Sequence, residues 1–387
     1  MSDDQLETIV HIRQTVGRIC AAFPGEYWRE KDSGKQYPVE FVAALSDAGL
    51  LACLIPQEYG GSGLPLGSAC EVLTAIHTHG CNAAACHAQM YTMGTLLRHG
   101  SEQQKSSYLP DIAAGKLRLQ AFGVTEPSAG TDTTSISTSA VRDGDNYIVN
   151  GQKVWISRAE HSDLMILLAR TTPRGEVKKR SAGLSVFIVD MKLAQQQGMT
   201  VKPVSTMINH ATTEIFFDDV PVPAANLIGK EGEGFKYILS GMNAERILIA
   251  SECIGDARWF IKTASEYATN REVFGRPIGQ NQGVQFPIAR AYAQTEAAAL
   301  MVKHAAQLYD AGKPCGAQAN MAKMLASEAS WAAGEACMQT HGGFGLATEY
   351  DVERKWRETR LYQIAPVSTN LILAYLGEHE LGLPRSY

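Results

Sequence analysis

Apolar residues in the first 120 positions fall at helical spacing, as in Phe41, Leu45, Ala48 and Leu51, and the runs break at turn clusters such as EYGGSGLPLG at 58–67. From about residue 119 the texture changes to short β-rich runs (NYIVNG, KVWIS, LMILLA, LSVFIVD, TEIFF), separated by turn pairs such as Asp143-Gly144 and Asn150-Gly151. After EGEGF at 231–235 the helical period returns through alanine-rich stretches, AQTEAAALMVKHAAQLY and ANMAKMLASEASWAAGEACMQ, and holds nearly to the end. The pattern predicts an α+β fold in three parts: an N-terminal helical domain at 1–120, a middle β domain at 121–230 and a C-terminal helical bundle at 231–387. Helices, a β insert and helices again suggest a ligand held where bundle and β layer meet.

Composition narrows the classes. A chain of 387 residues, 45% hydrophobic and 19% charged, can bury a large core and is not a disordered sequence. Thirty-five Lys and Arg against 40 Asp and Glu leave a net charge of −5, which argues against a nucleic-acid partner. Eight cysteines with no signal peptide ahead of them read as buried thiols of a reducing compartment. Cys81, Cys86 and His87 lack a second ligand pair at zinc-site spacing, so no metal is expected and small helix-packing residues are the better reading. The acidic N-terminus MSDDQLETIV and the lack of any run of about 18 apolar residues point to a cytoplasmic protein with no membrane partner.

Four segments carry candidate chemistry. In FGVTEPSAGTDTTS (122–135), Ala129 and Gly130 let backbone approach a ligand, while Thr125, Ser128, Thr131 and Thr133 offer hydroxyls. A hydrogen-bonded Ser/Thr/Gly loop with no ligand would read the same. KVWIS (153–157) places Trp155 and Ser157 on one strand face, an apolar plate beside a hydroxyl, although a core Trp would look identical. YATNREVFGRPIGQNQGVQFPIA (267–289) runs from a helix end into a loop with Arg271, Phe274, Gly275 and Gln282, able to meet a phosphate and a ring. In QTHGGFGLATEYDVERKWRETRLYQIAPVSTN (339–370), paired glycines interrupt a helical region where backbone must come close to something.

In this order and spacing, VTEPSAGTD, KVWIS, NREVFG followed by Gln282, and the run from Gln339 through Gly342 and Gly343 to Glu349-Tyr350 resemble the acyl-CoA dehydrogenase family over essentially the whole chain. The resemblance implies an N-terminal helical domain, a middle β domain and a C-terminal four-helix bundle, with FAD bound between β domain and bundle, in a homotetramer. It implies that Phe122, Val124, Thr125, Trp155 and Ser157 line the isoalloxazine, and that Thr131 touches the acyl-CoA chain or the flavin phosphates. Arg271, Phe274, Gln282, Gln339, Gly342 and Gly343 would hold the ADP half of a flavin, the first three from a neighbouring subunit, and Ser368 would join the cofactor contacts. An acyl-CoA substrate and an electron-transfer flavoprotein as partner follow from the same resemblance, with enoyl-CoA reductase, desulfinase or flavin oxidase or monooxygenase chemistry, or flavin and acyl-CoA binding without turnover, as the alternatives.

Oxidising an acyl thioester requires a carboxylate to take the weakly acidic α proton while the β hydrogen leaves as hydride. Many family members carry that Glu in a Tyr-Glu-Gly-Thr segment near the C-terminus. Here YQIAPVSTN (362–370) places Pro366 at that position and Val367 where Gly is expected. Proline also removes a backbone N–H that helps polarise the thioester carbonyl in the family. A replacement base stands in GFKYILSGMNAERILIASECIG (234–255), where Phe235, Ile238, Leu239, Met242, Ile249 and Ala250 recur at helical spacing and Glu245 falls on the same stripe. Burial makes such a carboxylate more basic, while Arg246 pulls the other way. The isovaleryl-CoA and long-chain branches of the family carry their base at a similar Glu-Arg pair. The competing reading of Glu245 is a buried ion pair. Met242 and Arg246 are candidates for substrate contact; Glu349, Glu353 and Glu358 read as solvated or ion-paired faces, and Lys178-Lys179-Arg180 as a solvated turn or a CoA-phosphate contact.

Overall fold

The computed structural model describes residues 3–386. In chain order the helices are α1 (Asp3–Ala21), α2 (Gly25–Ser33), α3 (Val39–Asp47), α4 (Leu66–Thr78), α5 (Ala88–His99), α6 (Glu102–Ala113), α7 (Met191–Gln196), α8 (Gly234–Asn270), α9 (Gln282–Asp310), α10 (Gly316–His341), α11 (Val352–Leu361) and α12 (Thr369–His379). The strands are β1 (Leu119–Gly123), β2 (Ser139–Asp143), β3 (Asn146–Ser157), β4 (Leu164–Arg170), β5 (Leu184–Asp190), β6 (Met199–Pro203), β7 (Thr212–Pro223), β8 (Leu227–Ile228), β9 (Glu272–Val273) and β10 (Arg276–Pro277). They group into two compact units. One comprises residues 37–64 and 84–242, the other residues 1–36, 65–83 and 243–387, and the division falls within α8.

In the first unit the sheet runs β6-β7-β3-β2-β4-β5-β8, with β1 added parallel to β4. The run LMILLAR is buried along its whole length because both faces of β4 are covered. Leu164, Ile166 and Leu168 enter one core with Leu96, Leu109 and Ile112 of α5 and α6, while Met165, Leu167 and Ala169 enter another with Tyr147, Phe187 and Phe217. Asp143-Gly144 begins the two-residue turn joining β2 to β3, with Asp143 paired to Asn146, as the sequence pattern expects. Asn150-Gly151 does not turn. β3 runs straight through it, and the register against β7 shifts there instead, a β-bulge. The reason is the close approach of Thr138: a Cβ on Gly151 would stand 2.6 Å from Thr138 Oγ1, and the φ of +144° favours glycine.

The second unit is helical. The alanine-rich stretches form the facing surfaces of α9 and α10, where Ala291, Ala298 and Ala305 are buried on one helix and Ala319, Ala322, Ala326 and Ala333 on the other. Short side chains let the two axes approach closely. Phe260 of α8 fills the space over Gly334 and packs with Ala257, Ala264 and Val352. Between α8 and α9 the chain makes a small antiparallel hairpin, β9 with β10, whose turn residues Phe274 and Gly275 both have positive φ. Among the described residues no helix is long and apolar enough to cross a membrane.

Gly151→Ala should destabilise the protein by roughly 1–3 kcal/mol through strain at the bulge, read as a lowered midpoint in urea unfolding, whereas Gly144→Asn, at an open turn position, should stay within about 0.5 kcal/mol.

Candidate active site

Two groups of the sequence-selected residues come together, one in each unit. In the β unit, the loop after β1 is fastened to β3. Val154 donates its N–H to the Thr125 carbonyl at 3.0 Å. Glu126 and Ala129 close a tight turn on each other, leaving Ser128 exposed within it and Gly130 and Thr131 exposed just after it. Phe122 is half-buried with its ring edge-on to Tyr91, and Val124 is buried. Trp155 is not a core residue: it is 59% exposed, with φ +62°, at a second register shift between Lys153 and Ile156. Ile156 takes the interior position, and Ser157 Oγ accepts from Asn209 Nδ2 at 2.8 Å. An exposed indole on a left-handed backbone beside a fixed hydroxyl leaves a flat apolar face open to solvent.

What holds this loop and strand together lies inside the two motifs. Glu126, buried, accepts from the Ser137 N–H at 2.7 Å, the Thr138 N–H at 2.9 Å and Lys153 Nζ at 2.8 Å. Lys153, fully buried, also donates to the Val124 carbonyl at 3.0 Å. Burial alone would raise the Glu126 carboxyl, but the Lys153 charge and these donors hold it down at about 2. Burial pulls Lys153 down to about 8 against the attraction of Glu126. Arg180 of the basic loop donates to Asp132 at 2.6 Å.

In the helical unit, Arg271, Gln339, Gly342 and Gly343 line one cleft of about 600 Å³ with Tyr267, His341 and Phe344. The Arg271 guanidinium lies 5.8 Å from the centre of the Phe344 ring, and His341 stacks on Tyr267 at 4.1 Å. A Cβ built on Gly343 meets nothing within 4 Å, and its φ is not positive, so neither packing nor backbone conformation demands glycine there. The same holds for Gly130. The open backbone at these two positions leaves room for a ligand to come close. Phe274 is fully exposed at the hairpin tip, and Gln282 is exposed at the first position of α9; neither lines this cleft.

Glu245 is 7% exposed on α8. Arg246, beside it, donates to Asn243 Oδ1 at 3.1 Å; burial lowers its pKa while the Glu245 charge opposes that. Met242 is half-buried against the core of the β unit. Of the acidic residues set aside, Glu358 is buried against Arg354 at 2.7 Å, Glu353 pairs with Arg357 at 2.8 Å, and Glu349 is exposed. In the segment that carries Pro366, the Val367 carbonyl accepts from Lys323 Nζ at 2.7 Å, and Ser368 caps α12 by accepting from the Leu371 N–H at 3.3 Å. Lys323 is fully buried and was legible by the same test that picks out Glu245, a charge on the buried stripe Ala319, Ala322, Ala326.

Comparison with known proteins finds the acyl-CoA dehydrogenase N-terminal domain at residues 7–116, the middle domain at 121–220 and the C-terminal domain at 232–375. An acyl-CoA dehydrogenase of Mycobacterium tuberculosis is 34% identical over 381 residues, 97% of this chain and 96% of that protein. A solved glutaryl-CoA dehydrogenase in complex with glutaryl-CoA superposes with a TM-score of 0.90 at 30% identity, covering 100% of this chain and 97% of the other. An FAD complex of PigA superposes with a TM-score of 0.90 at 25% identity, over 99% and 98% of the two chains. The residues present fit FAD: open backbone at Gly130 and Gly343, a bare indole at Trp155, and a cleft that combines a guanidinium with aromatic faces.

Lys153→Met leaves Glu126 charged and buried without its cation, so equilibrium unfolding should show a loss of about 3–5 kcal/mol, most of it recovered when Glu126→Gln is added. The stabilisation that Glu126 itself supplies is present above its ordinary pKa of 4.5 and is lost as pH falls through about 2; Glu126→Gln should flatten stability across that acid range.

Proposed function

The chain belongs to the acyl-CoA dehydrogenase family, a family of FAD-dependent oxidoreductases in which tetramers are typical, and we propose that it dehydrogenates an acyl-CoA thioester to the 2,3-enoyl-CoA with Glu245 as the α-proton base. The observation that carries this reading is a carboxylate 7% exposed on α8 in a chain whose usual base position is Pro366. Proline cannot accept a proton, and the fold needs a carboxylate for the α carbon. Bound FAD supplies the acceptor for the β hydride. Glu245 takes the α proton through its carboxylate oxygen, and Arg246 counterbalances the charge that Glu245 carries before the reaction. Trp155 shields the reacting faces from water, and Ser157 presents a hydroxyl whose oxygen is held by Asn209. Thr131 and Met242 are assigned to the substrate side.

Arg271, Gln339, Gly342 and Gly343 are assigned to the ADP half of the cofactor. Arg271, Phe274 and Gln282 are proposed to reach the flavin of a neighbouring subunit, which the exposure of Phe274 and Gln282 suits, as does the α9 face that exposes Phe286, Tyr292 and Leu300. This supports a homotetramer in which cofactor retention and assembly are coupled. An electron-transfer flavoprotein is the proposed acceptor of the electrons, and the buried cysteine thiols support a reducing, cytoplasmic setting.

Glu245→Gln keeps the side-chain volume and removes the proton acceptor. It should retain FAD and slow anaerobic bleaching of the flavin by the best acyl-CoA of a straight, branched and polar panel by about 10² to 10⁴; bleaching near the wild-type rate would remove Glu245 from the reaction. Arg271→Ala should lose FAD and shift light scattering toward smaller species together, and a stable, FAD-loaded monomer would overturn the coupling.

A further inference from the structure

Arg158 follows Ser157 in the β unit and is 5% exposed, on a left-handed backbone with φ +64°. Its own N–H donates to the Ala211 carbonyl at 2.6 Å, and its Nη1 donates to the Ala84 carbonyl. Its Nε is buried with no hydrogen-bond partner, and among the described residues no acidic side chain is ion-paired to the guanidinium. The buried charges of Lys153 and Arg354, by contrast, are matched by Glu126 and by Asp351 with Glu358. A buried cation without an anion is costly, here on a strained backbone as well, and nothing within the protein offsets it. Gln120 supplies a second unmatched donor. The register of β1 against β4 shifts across this residue, and the Ser162 hydroxyl receives both the Gln120 and the Ala121 N–H, at 2.8 and 3.1 Å. The Gln120 side chain is fully buried; its Oε1 accepts from Tyr37 Oη at 3.3 Å, while its Nε2 has no partner. Arg158 and Gln120 belong to one cluster. Tyr37 Oη also donates at 2.7 Å to the Ala85 carbonyl, next to the Ala84 carbonyl that Arg158 binds, and the Tyr37 ring stacks at 3.9 Å on His161, whose N–H donates to the Arg158 carbonyl. Burial pushes the Tyr37 phenol up to about 12, so it stays neutral and gives Arg158 no counter-charge. On α5, which packs against β1, Gln89 Oε1 and Thr92 Oγ1 are buried without partners as well. A plain hydrocarbon chain would satisfy none of these groups.

We propose that Arg158 and Gln120 receive a carboxylate carried on the acyl chain, so that the preferred substrate is the CoA thioester of a short dicarboxylic acid. The inference rests on the acyl-CoA reading above and names its substrate class. The Arg158 Nε–H and the Gln120 Nε2–H each donate to a carboxylate oxygen, and the ligand brings the anion that the protein lacks. Arg158 directly follows Ser157, which the proposed reaction places beside the reacting atoms, so the carboxylate lies close to the reacting end and the acid is short.

The test titrates the FAD-loaded protein carrying Glu245→Gln, so that turnover does not consume the ligand, with glutaryl-CoA and with pentanoyl-CoA, whose chain is equally long, in an anaerobic calorimeter. Glutaryl-CoA should bind about 10- to 100-fold more tightly. Adding Arg158→Gln should bring the two within about threefold, and Arg158→Lys should keep part of the difference, because the charge remains without the planar fork. Gln120→Met, which leaves the cation in place, should narrow the preference by about three- to tenfold and serves should the Arg158 variants fail to fold. Equal binding of the two thioesters, or a preference for glutaryl-CoA that survives Arg158→Gln in an FAD-loaded protein, would overturn the proposal. So would loss of FAD from Arg158→Gln where the parent shows no preference, which would assign these donors to the flavin. Rapid bleaching in Glu245→Gln counts against the base alone, since the carboxylate preference is read from binding.

Discussion

Glu126 and Lys153 are two charges taken fully out of water in the middle of the β unit, and neither is tolerable there alone. An unpaired buried ion costs several kcal/mol, so the chain must bring the loop that carries Glu126 and the strand that carries Lys153 to one geometry or leave a penalty unmet. The carboxyl sits below its usual range and the ammonium also sits below its own, shifts of opposite consequence for stability. The effect of the pair is positional. It fixes the turn at Glu126–Ala129 against the bulge at Trp155, and so presents the exposed indole, the Ser157 hydroxyl and the open backbone of Gly130 on one framework.

The helical unit solves a similar problem with a longer chain of charges. Asp256 on α8 accepts from His77 Nδ1 at 2.8 Å and from Lys355 at 2.5 Å; Lys355 reaches Glu358 at 3.1 Å, and Arg354 joins Glu358 to Asp351. His77 Nε2 accepts the Ala83 N–H, so the ring is neutral and its other nitrogen donates to Asp256. Burial would lower Lys355, yet Asp256 and Glu358 keep it above its ordinary value, and Arg354 and Lys355 hold Glu358 below its own. These groups are locked in their charged forms by one another. Locked charges of this kind do not exchange protons near neutral pH, so their role is structural.

The order of elements was legible because period-3.6 and β-rich stretches are long and do not interleave. Asn150-Gly151 misled for a definite reason. The dipeptide that favours a tight turn also supplies the one residue without a Cβ that a bulge against Thr138 requires, and only the neighbouring strand decides between them. Trp155 was ambiguous in sequence because a strand position says nothing of whether its face is covered. The rule that a charge on an apolar stripe needs a reason singled out Glu245, but it applies equally to Lys323, Glu252 and Asp256, all fully buried. Sequence locates such residues; their partners come from elements far along the chain and cannot be read from spacing.

Lys323 shows how a site can absorb a substitution that removes two functions at once. Pro366 brings neither a carboxylate nor an N–H, so under the proposed reaction both must be supplied from elsewhere. In that proposal the carboxylate is Glu245 of α8. For the donor, the Val367 carbonyl is pinned by Lys323 at 2.7 Å, and in a planar peptide the N–H of the next residue points opposite to that carbonyl. The Ser368 N–H is thereby turned away from Lys323, at the N-terminal end of α12 where backbone donors are unmatched and the helix dipole favours negative charge. Burial draws Lys323 down to about 8, and the Arg246 charge helps, so its donor is held only modestly as a cation. A neutral amine still donates a hydrogen bond. The clamp on Val367 therefore survives titration of the lysine, and the orientation of the following amide is set by geometry rather than by charge.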